Sequence, residues 1–129
     1  GAPATFIRRA NDVNLEMSKY VVDRVEADNG GSLAGKSVLV VGVAYKPNVA
    51  DVRETPAELV IEHLRSRGAV VSWHDEVVGN WHGESSAPLS GADIAVVITK
   101  HDVVSDREIF ASAPYVFDTT GKLNGVRGL

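Results

Sequence analysis

The sequence predicts an α/β protein, a small doubly wound parallel sheet preceded by one long helix. Three observations carry that prediction. Apolar runs with the look of buried strands, Ser37-Val38-Leu39-Val40-Val41 first among them, alternate with stretches of helical period. Such alternation implies parallel strands joined by crossover helices. Ahead of the first strand, residues from about 4 to 27 keep one apolar face without an interior Gly or Pro.

The elements follow in order. On the long helix the apolar positions are Phe6, Ile7, Ala10, Val13, Met17, Tyr20, Val21 and Val25. Asp28-Asn29-Gly30-Gly31-Ser32 ends it, with Asn and Gly suited to a left-handed cap. Residues 37–43 form the first strand. Thr55-Pro56-Ala57-Glu58 has the form of a capping box with Pro at the first helical position. The second helix runs to about Arg67, burying Ala57, Val60, Ile61 and Leu64, and Gly68 stops it. Residues 69–74 form the next strand, with Asp75 at its carboxyl end. Residues 77–90 read as irregular. Strands over 92–99 and 115–118 flank a short helix over 102–111, and 121–129 reads as loop or tail. A sheet of about four to six strands is expected.

Composition excludes several classes. The chain has 129 residues, 44% hydrophobic and 23% charged, the profile of one soluble globular domain. A net charge of -4 argues against nonspecific nucleic-acid binding and against a basic membrane-binding patch. No apolar run approaches the roughly 20 residues of a membrane helix. The opening Gly1-Ala2-Pro3-Ala4 lacks the features of a signal peptide, and the absence of a first Met suggests a cut or processed chain. The expected location is the cytoplasm. With no cysteine there is no disulfide, thiolate metal site or cysteine nucleophile. His63, His74, His82 and His101 show no metal-ligand spacing, so no metal is assigned.

The candidate site is the loop after the first strand, Gly42–Pro56. It holds Tyr45, Lys46, Asp51 and Arg53 within nine residues, at the end of a strand where open sheets bind ligands. Lys46 offers a point charge to a phosphate, set against the plain reading of a solvated lysine. Arg53 offers a planar fork for phosphate or carboxylate close to a helix N-terminus, set against a salt bridge to Asp51 or Glu54. Asp51 reads as a turn-fixing residue, and Glu54 and Thr55 as helix-entry chemistry. Gly42 allows tight backbone passage. The fingerprint G-x-G-x-x-G is missing, with Ala44 where its second glycine would stand. The domain is therefore Rossmann-like in shape without the usual dinucleotide grip.

The histidines carry weaker signals. His63 lies on a charged helix face, and His82 and His101 lie in loops. His74 and Asp75 are neighbours on a strand, so they point to opposite faces and form no dyad. Trp73 and Trp81 read as core or interface. Asn11 and Asn14, one helical turn apart, hint at contact with another element or a partner.

The chain resembles the C-terminal part of the UDP-glucose and GDP-mannose dehydrogenase family. Residues 13–22 look like the helix I-N-x-x-M-P-x-Y-V-V. Gly42–Pro56 looks like the signature G-x-x-F/Y-K-x-x-x-x-D-x-R-E-S/T-P. Val116-Phe117-Asp118 looks like the late V-x-D strand. The resemblance implies residues 1–30 as the end of a central linker and dimerisation helix, and 31–129 as a Rossmann-like nucleotide-sugar-binding domain. It implies a UDP-sugar substrate contacted by Tyr45 and Lys46. It implies NAD, held mainly by an N-terminal domain outside this chain and reached from this side by Arg53. Two-step oxidation of the sugar C6 hydroxyl to a uronic acid, a role in polysaccharide biosynthesis, and a homodimer follow in the same way.

Departures qualify it. The family's catalytic cysteine and NAD fingerprint are absent here, so the piece is expected to be inert alone. Ser18 stands at a common proline position, which should leave the helix less kinked. Lys122 stands near where some members place a substrate-contacting arginine. The apolar face of the long helix, without its usual cover, is the expected dimer surface. A second reading from another class is a stand-alone nucleotide-binding regulatory or interaction module.

Overall fold

The computed structural model describes residues 10–123 and 127–128, with side chains from Glu16 to Leu123. Helix α1 spans Ala10–Asp28 and leads through a glycine-rich turn to strand β1, Ser37–Val41. Helix α2, Pro56–Ser66, and strand β2, Val70–His74, follow. A two-stranded ribbon, β3 (Asn80–Trp81) and β4 (Glu84–Ser85), precedes strand β5, Ile94–Val97. Helix α3 (Asp106–Ser112), β6 (Tyr115–Asp118) and β7 (Arg127–Gly128) complete the order.

The main sheet has the order β2-β1-β5-β6-β7 with every pair parallel. Strand β1 is central and buried on both faces, which is why its sequence is an unbroken apolar run. Val38 and Val40 join the core under α1 and α2. Leu39 and Val41 join the smaller core with Val104 and Ile109, beside and on α3. The doubly wound architecture is as the sequence predicts.

The chain leaves β1 for β2 on one side and later returns to lay β5 on the other. The direction of winding therefore reverses at β1. Loops leaving the carboxyl ends of β1 and β5 diverge there, the place where open α/β sheets form ligand crevices.

Several expectations change in detail. The ribbon β3–β4 lies inside the stretch read as irregular. It turns on His82 and Gly83, both at positive φ, 53° and 76°, the primed-turn geometry that suits a two-residue hairpin. Part of the expected tail pairs with the sheet as β7, which gives it a fifth strand. Helix α2 lacks the reciprocal half of the expected capping box. Thr55 Oγ1 accepts from the Ala57 N–H, while the Glu58 carboxylate lies 3.4 Å from His82 Nε2. A complete box caps α3 instead, through Ser105 and Glu108.

Helix α1 is covered over the part whose side chains are described. Val21, Val22 and Val25 are buried in the core shared with α2, so the expectation of an exposed apolar face fails for them. Arg67 ties the two helices together by bonding Asp23 and Glu26. His63, read as lying on a charged helix face, is half-buried and meets buried Ser18 across the helix pair at 3.1 Å. Ser18 lies within helix α1. The side chains of Phe6, Ile7, Ala10, Val13, Asn11 and Asn14 lie outside the described residues.

Candidate functional site

The loop after β1 begins at Gly42. Its φ is 87°, and a Cβ there would stand 1.9 Å from the Thr99 carbonyl oxygen. Only glycine fits both the left-handed backbone and that approach. The loop then crosses toward the strand on its far side. Thr99 Oγ1 donates to the Ala44 carbonyl at 2.7 Å. The Asn48 N–H donates to His101 Nδ1 at 2.7 Å. Asn48 and Asp102 exchange two more bonds, side chain to side chain and backbone to side chain. The chain's own backbone thus bridges the switch point between β1 and β5. That span, together with Ala44 in place of a second glycine, does not fit a dinucleotide gripped in the usual manner.

The loop closes on itself as well. The Tyr45 N–H donates to the Asp51 carbonyl at 2.6 Å. Asp51 then receives Arg53 three times. The backbone N–H and Nε donate to Oδ1 at 2.9 and 3.0 Å, and Nη2 donates to Oδ2 at 2.8 Å. The Arg53 side chain donates most strongly, and with the backbone bond it holds the Asp51 carboxyl down at about 2. The guanidinium is raised above its already high value by the same partner. Both readings of Arg53 therefore remain available. It pairs with Asp51, yet its side chain is 86% exposed, and the guanidinium's remaining N–H groups are free of that pair.

Tyr45 is 53% exposed, the largest aromatic exposure among the described residues. Tyr45, Asp51, Arg53 and Glu54 line an open cavity of about 250 Å³. Lys46 is exposed on the same loop, close enough to lower Asp51 by its charge. It makes no hydrogen bond or ion pair among the described residues. Lys122 is exposed beyond the carboxyl end of β6, on the far side of β5. There the buried Asp118 accepts from Thr120 and Leu123 to shape the turn.

The residues that sequence reasoning missed lie beneath the loop. Asp75 and His101 bond at 2.9 Å with side chains 0% and 2% exposed. Asp75 Oδ2 also accepts from the Val43 and Ala44 N–H groups, and Oδ1 accepts from Val77 and Val78. His101, read as a loop histidine, is in fact buried, because the segment after β5 folds back under the loop after β1. His74 forms no dyad with Asp75, as expected; its Nδ1 faces the Ala87 carbonyl. The usable signal was positional. With β1 central, Asp75 and His101 follow the strands on its two sides, so both had to flank the loop between them.

A second cavity, of about 240 Å³, lies between α2 and the ribbon, against Trp73, Trp81, Glu58, Glu62, Glu84 and Arg65. Trp73 and Trp81 meet edge to face, and Trp73 Nε1 donates to Glu84. Three carboxylates against one guanidinium repel a phosphate, so charge favours the Lys46 loop for an anionic ligand. Among the described residues no three His, Asp or Glu side chains gather as a metal site. No described helix is long and apolar enough to cross a membrane.

The chain is similar to known proteins in sequence and in fold. Residues 39–125 match the UDP binding domain of the UDP-glucose/GDP-mannose dehydrogenase family. A UDP-N-acetyl-D-mannosamine dehydrogenase from Methanococcus maripaludis is 36% identical over 104 residues, covering 78% of this chain and 24% of that protein. A UDP-glucose 6-dehydrogenase from Rhizobium meliloti is 32% identical over 73 residues, 57% of this chain and 17% of that protein. The solved structure of a UDP-N-acetyl-mannosamine dehydrogenase from S. aureus superposes with a TM-score of 0.70 at 25% identity, over 91% of this chain and 30% of its own. The chain spans about a quarter of the length of these UDP-N-acetyl-D-mannosamine dehydrogenases.

Proposed function

The chain belongs to the UDP-glucose/GDP-mannose dehydrogenase family, and on that premise we propose that it is the nucleotide-sugar-binding part of an NAD-dependent UDP-sugar 6-dehydrogenase. The observation that carries the reading is Lys46. Among the described residues it is an exposed cation without a hydrogen bond or ion pair, on a loop whose backbone is bonded on both sides of it, beside an exposed aromatic ring. An ammonium held in that way presents its charge to a phosphate, and Tyr45 presents a flat apolar face beside it.

The division of labour follows from the chemistry present. This chain supplies binding and orientation: Lys46 for the diphosphate and Tyr45 for the rest of the UDP-sugar. The loop lacks the usual dinucleotide grip, so NAD would be held mainly outside this chain. Arg53 would meet the cofactor's anionic groups with the N–H groups that Asp51 leaves free. With no cysteine in the chain, a thiol nucleophile and most of the cofactor grip come from an N-terminal domain, and the piece is inert alone. Oxidation of the C6 hydroxyl to a uronic acid, use in polysaccharide biosynthesis, a cytoplasmic setting and a homodimer belong to the same reading. So does the division into a linker helix over 1–30 and a binding domain over 31–129.

Calorimetric titration with UDP, UDP-glucose and NAD tests it. Salt-sensitive UDP binding that Lys46→Ala weakens markedly, without NAD binding, is the expected result. UDP binding indifferent to Lys46→Ala would sink the assignment of the site.

A further inference from the structure

We propose that His101 is a positioning residue for the Lys46 loop, and through that loop for the phosphate-bearing ligand. The proposal rests on the reading above. Its starting point is that both ring nitrogens of a buried histidine are committed. The Asn48 N–H donates to Nδ1, so that nitrogen keeps its lone pair. Nε2 must then carry the hydrogen it donates to Asp75 Oδ2. One tautomer alone satisfies both bonds.

The same Asp75 oxygen also accepts from the Val43 and Ala44 N–H groups. A single buried carboxylate oxygen therefore holds the start of the loop directly and its far turn through His101. Tyr45, Lys46 and Pro47 are the residues between these two holds. The far hold falls on Asn48, whose φ of 67° is a left-handed conformation that a side-chain-bearing residue adopts at a cost. A bond at that position is what keeps such a turn in place. Asp102 braces the same residue from outside.

Lys46 has a long, flexible stem and no partner among the described residues. The stem cannot be prearranged, but its root can, and the Asp75–His101–Asn48 chain fixes that root before a ligand arrives. Loss of the chain should leave the ammonium in place while spreading it over more positions, which weakens binding without removing any ligand contact.

The test uses this chain with UDP as the probe. Calorimetric affinities are measured for the wild type, His101→Phe, His101→Asn, Lys46→Ala and the two double variants, with thermal unfolding as a check of fold. An asparagine Oδ1 takes the place of Nδ1 and retains the Asn48 bond; phenylalanine retains neither bond. Expected are a loss of at least tenfold for His101→Phe, a smaller loss for His101→Asn, and no further loss from either when Lys46 is already alanine. Imidazole nitrogen NMR should show His101 hydrogenated on Nε2. A folded His101→Phe that binds UDP like the wild type overturns the proposal. So do losses that simply add to that of Lys46→Ala, since a general structural role would be independent of Lys46, and so does the Nδ1–H tautomer. Should the phenylalanine variant not fold, the asparagine variant decides by the same comparison. Absence of UDP binding by the wild type defeats the underlying reading and the ligand role with it; wild-type binding untouched by His101 defeats this proposal alone.

Discussion

Arg53 grips Asp51, two residues before it, with a two-pronged bond of 3.0 and 2.8 Å while remaining 86% exposed. The pair sets both the shape of the loop and the direction in which the arginine can reach. It turns one edge of the guanidinium inward and leaves the other for an anion.

That bond predicts an unusual titration. Asp51 should lose its proton at about 2 in the folded chain, against an ordinary value of 3.8. A carboxyl held low stabilises the fold above its unfolded value and ceases to do so as pH falls through the folded one. Its contribution is therefore present above about pH 4 and disappears between there and about pH 2. Carbon NMR of the Asp51 carboxyl should follow this midpoint. In Arg53→Ala the midpoint should rise toward 3.8; an unchanged midpoint would show that Arg53 is not the cause.

Gly42→Ala should be severe. The new Cβ would meet the Thr99 carbonyl oxygen at 1.9 Å, backbone against side chain, at a φ of 87°. Strain of this backbone and overpacking each cost about 1–3 kcal/mol. Urea unfolding should show a loss of roughly 3 kcal/mol or more. Gly91→Ala, with open space around it but a φ of 78°, should cost only the backbone part.

Lys46→Ala should weaken UDP binding by roughly 1.5–3 kcal/mol, the scale of a hydrogen bond to a charged group. Because Lys46 is exposed, the wild-type affinity should fall as salt rises, and the variant's should depend on salt less steeply. Calorimetry at two ionic strengths measures both.

Ser105→Ala removes the cap of α3. The Ser105 Oγ accepts from the Glu108 N–H at 3.1 Å, and the Glu108 carboxylate accepts from the Ser105 N–H at 3.0 Å. Loss of an N-cap costs about 1 kcal/mol. Chiefly because of the Ser105 backbone bond, and then its side-chain bond, the Glu108 carboxyl sits below its ordinary value. The substitution removes the side-chain part, so the carboxyl should rise partway back, read by NMR titration. No rise would mean that the side-chain bond contributes nothing to the shift.

Most elements were legible because their causes are local. An unbroken run of Val and Leu at 38–41 reads as a buried strand, and Pro56 after Thr55 reads as a helix start. The candidate loop was legible too, because its residues are contiguous. The ribbon at 80–85 was not, since two-residue strands leave no periodic signal. Nor was the true capping box at Ser105, which lay inside the span read as helix.

By itself, the sequence determined the class of fold, the first strand, the need for glycine at 42 and the set of charges on one loop. Tertiary structure decided how those charges are used. It placed Asp75 and His101, 26 residues apart in the chain, just beyond the strands either side of β1, where together they hold the loop from below. It also gave Arg53 to Asp51 and left Lys46 unpaired among the described residues. The physical reason is that periodicity and capping act within a few residues. A buried hydrogen bond depends instead on which strand ends lie side by side, and only the order of the sheet sets that.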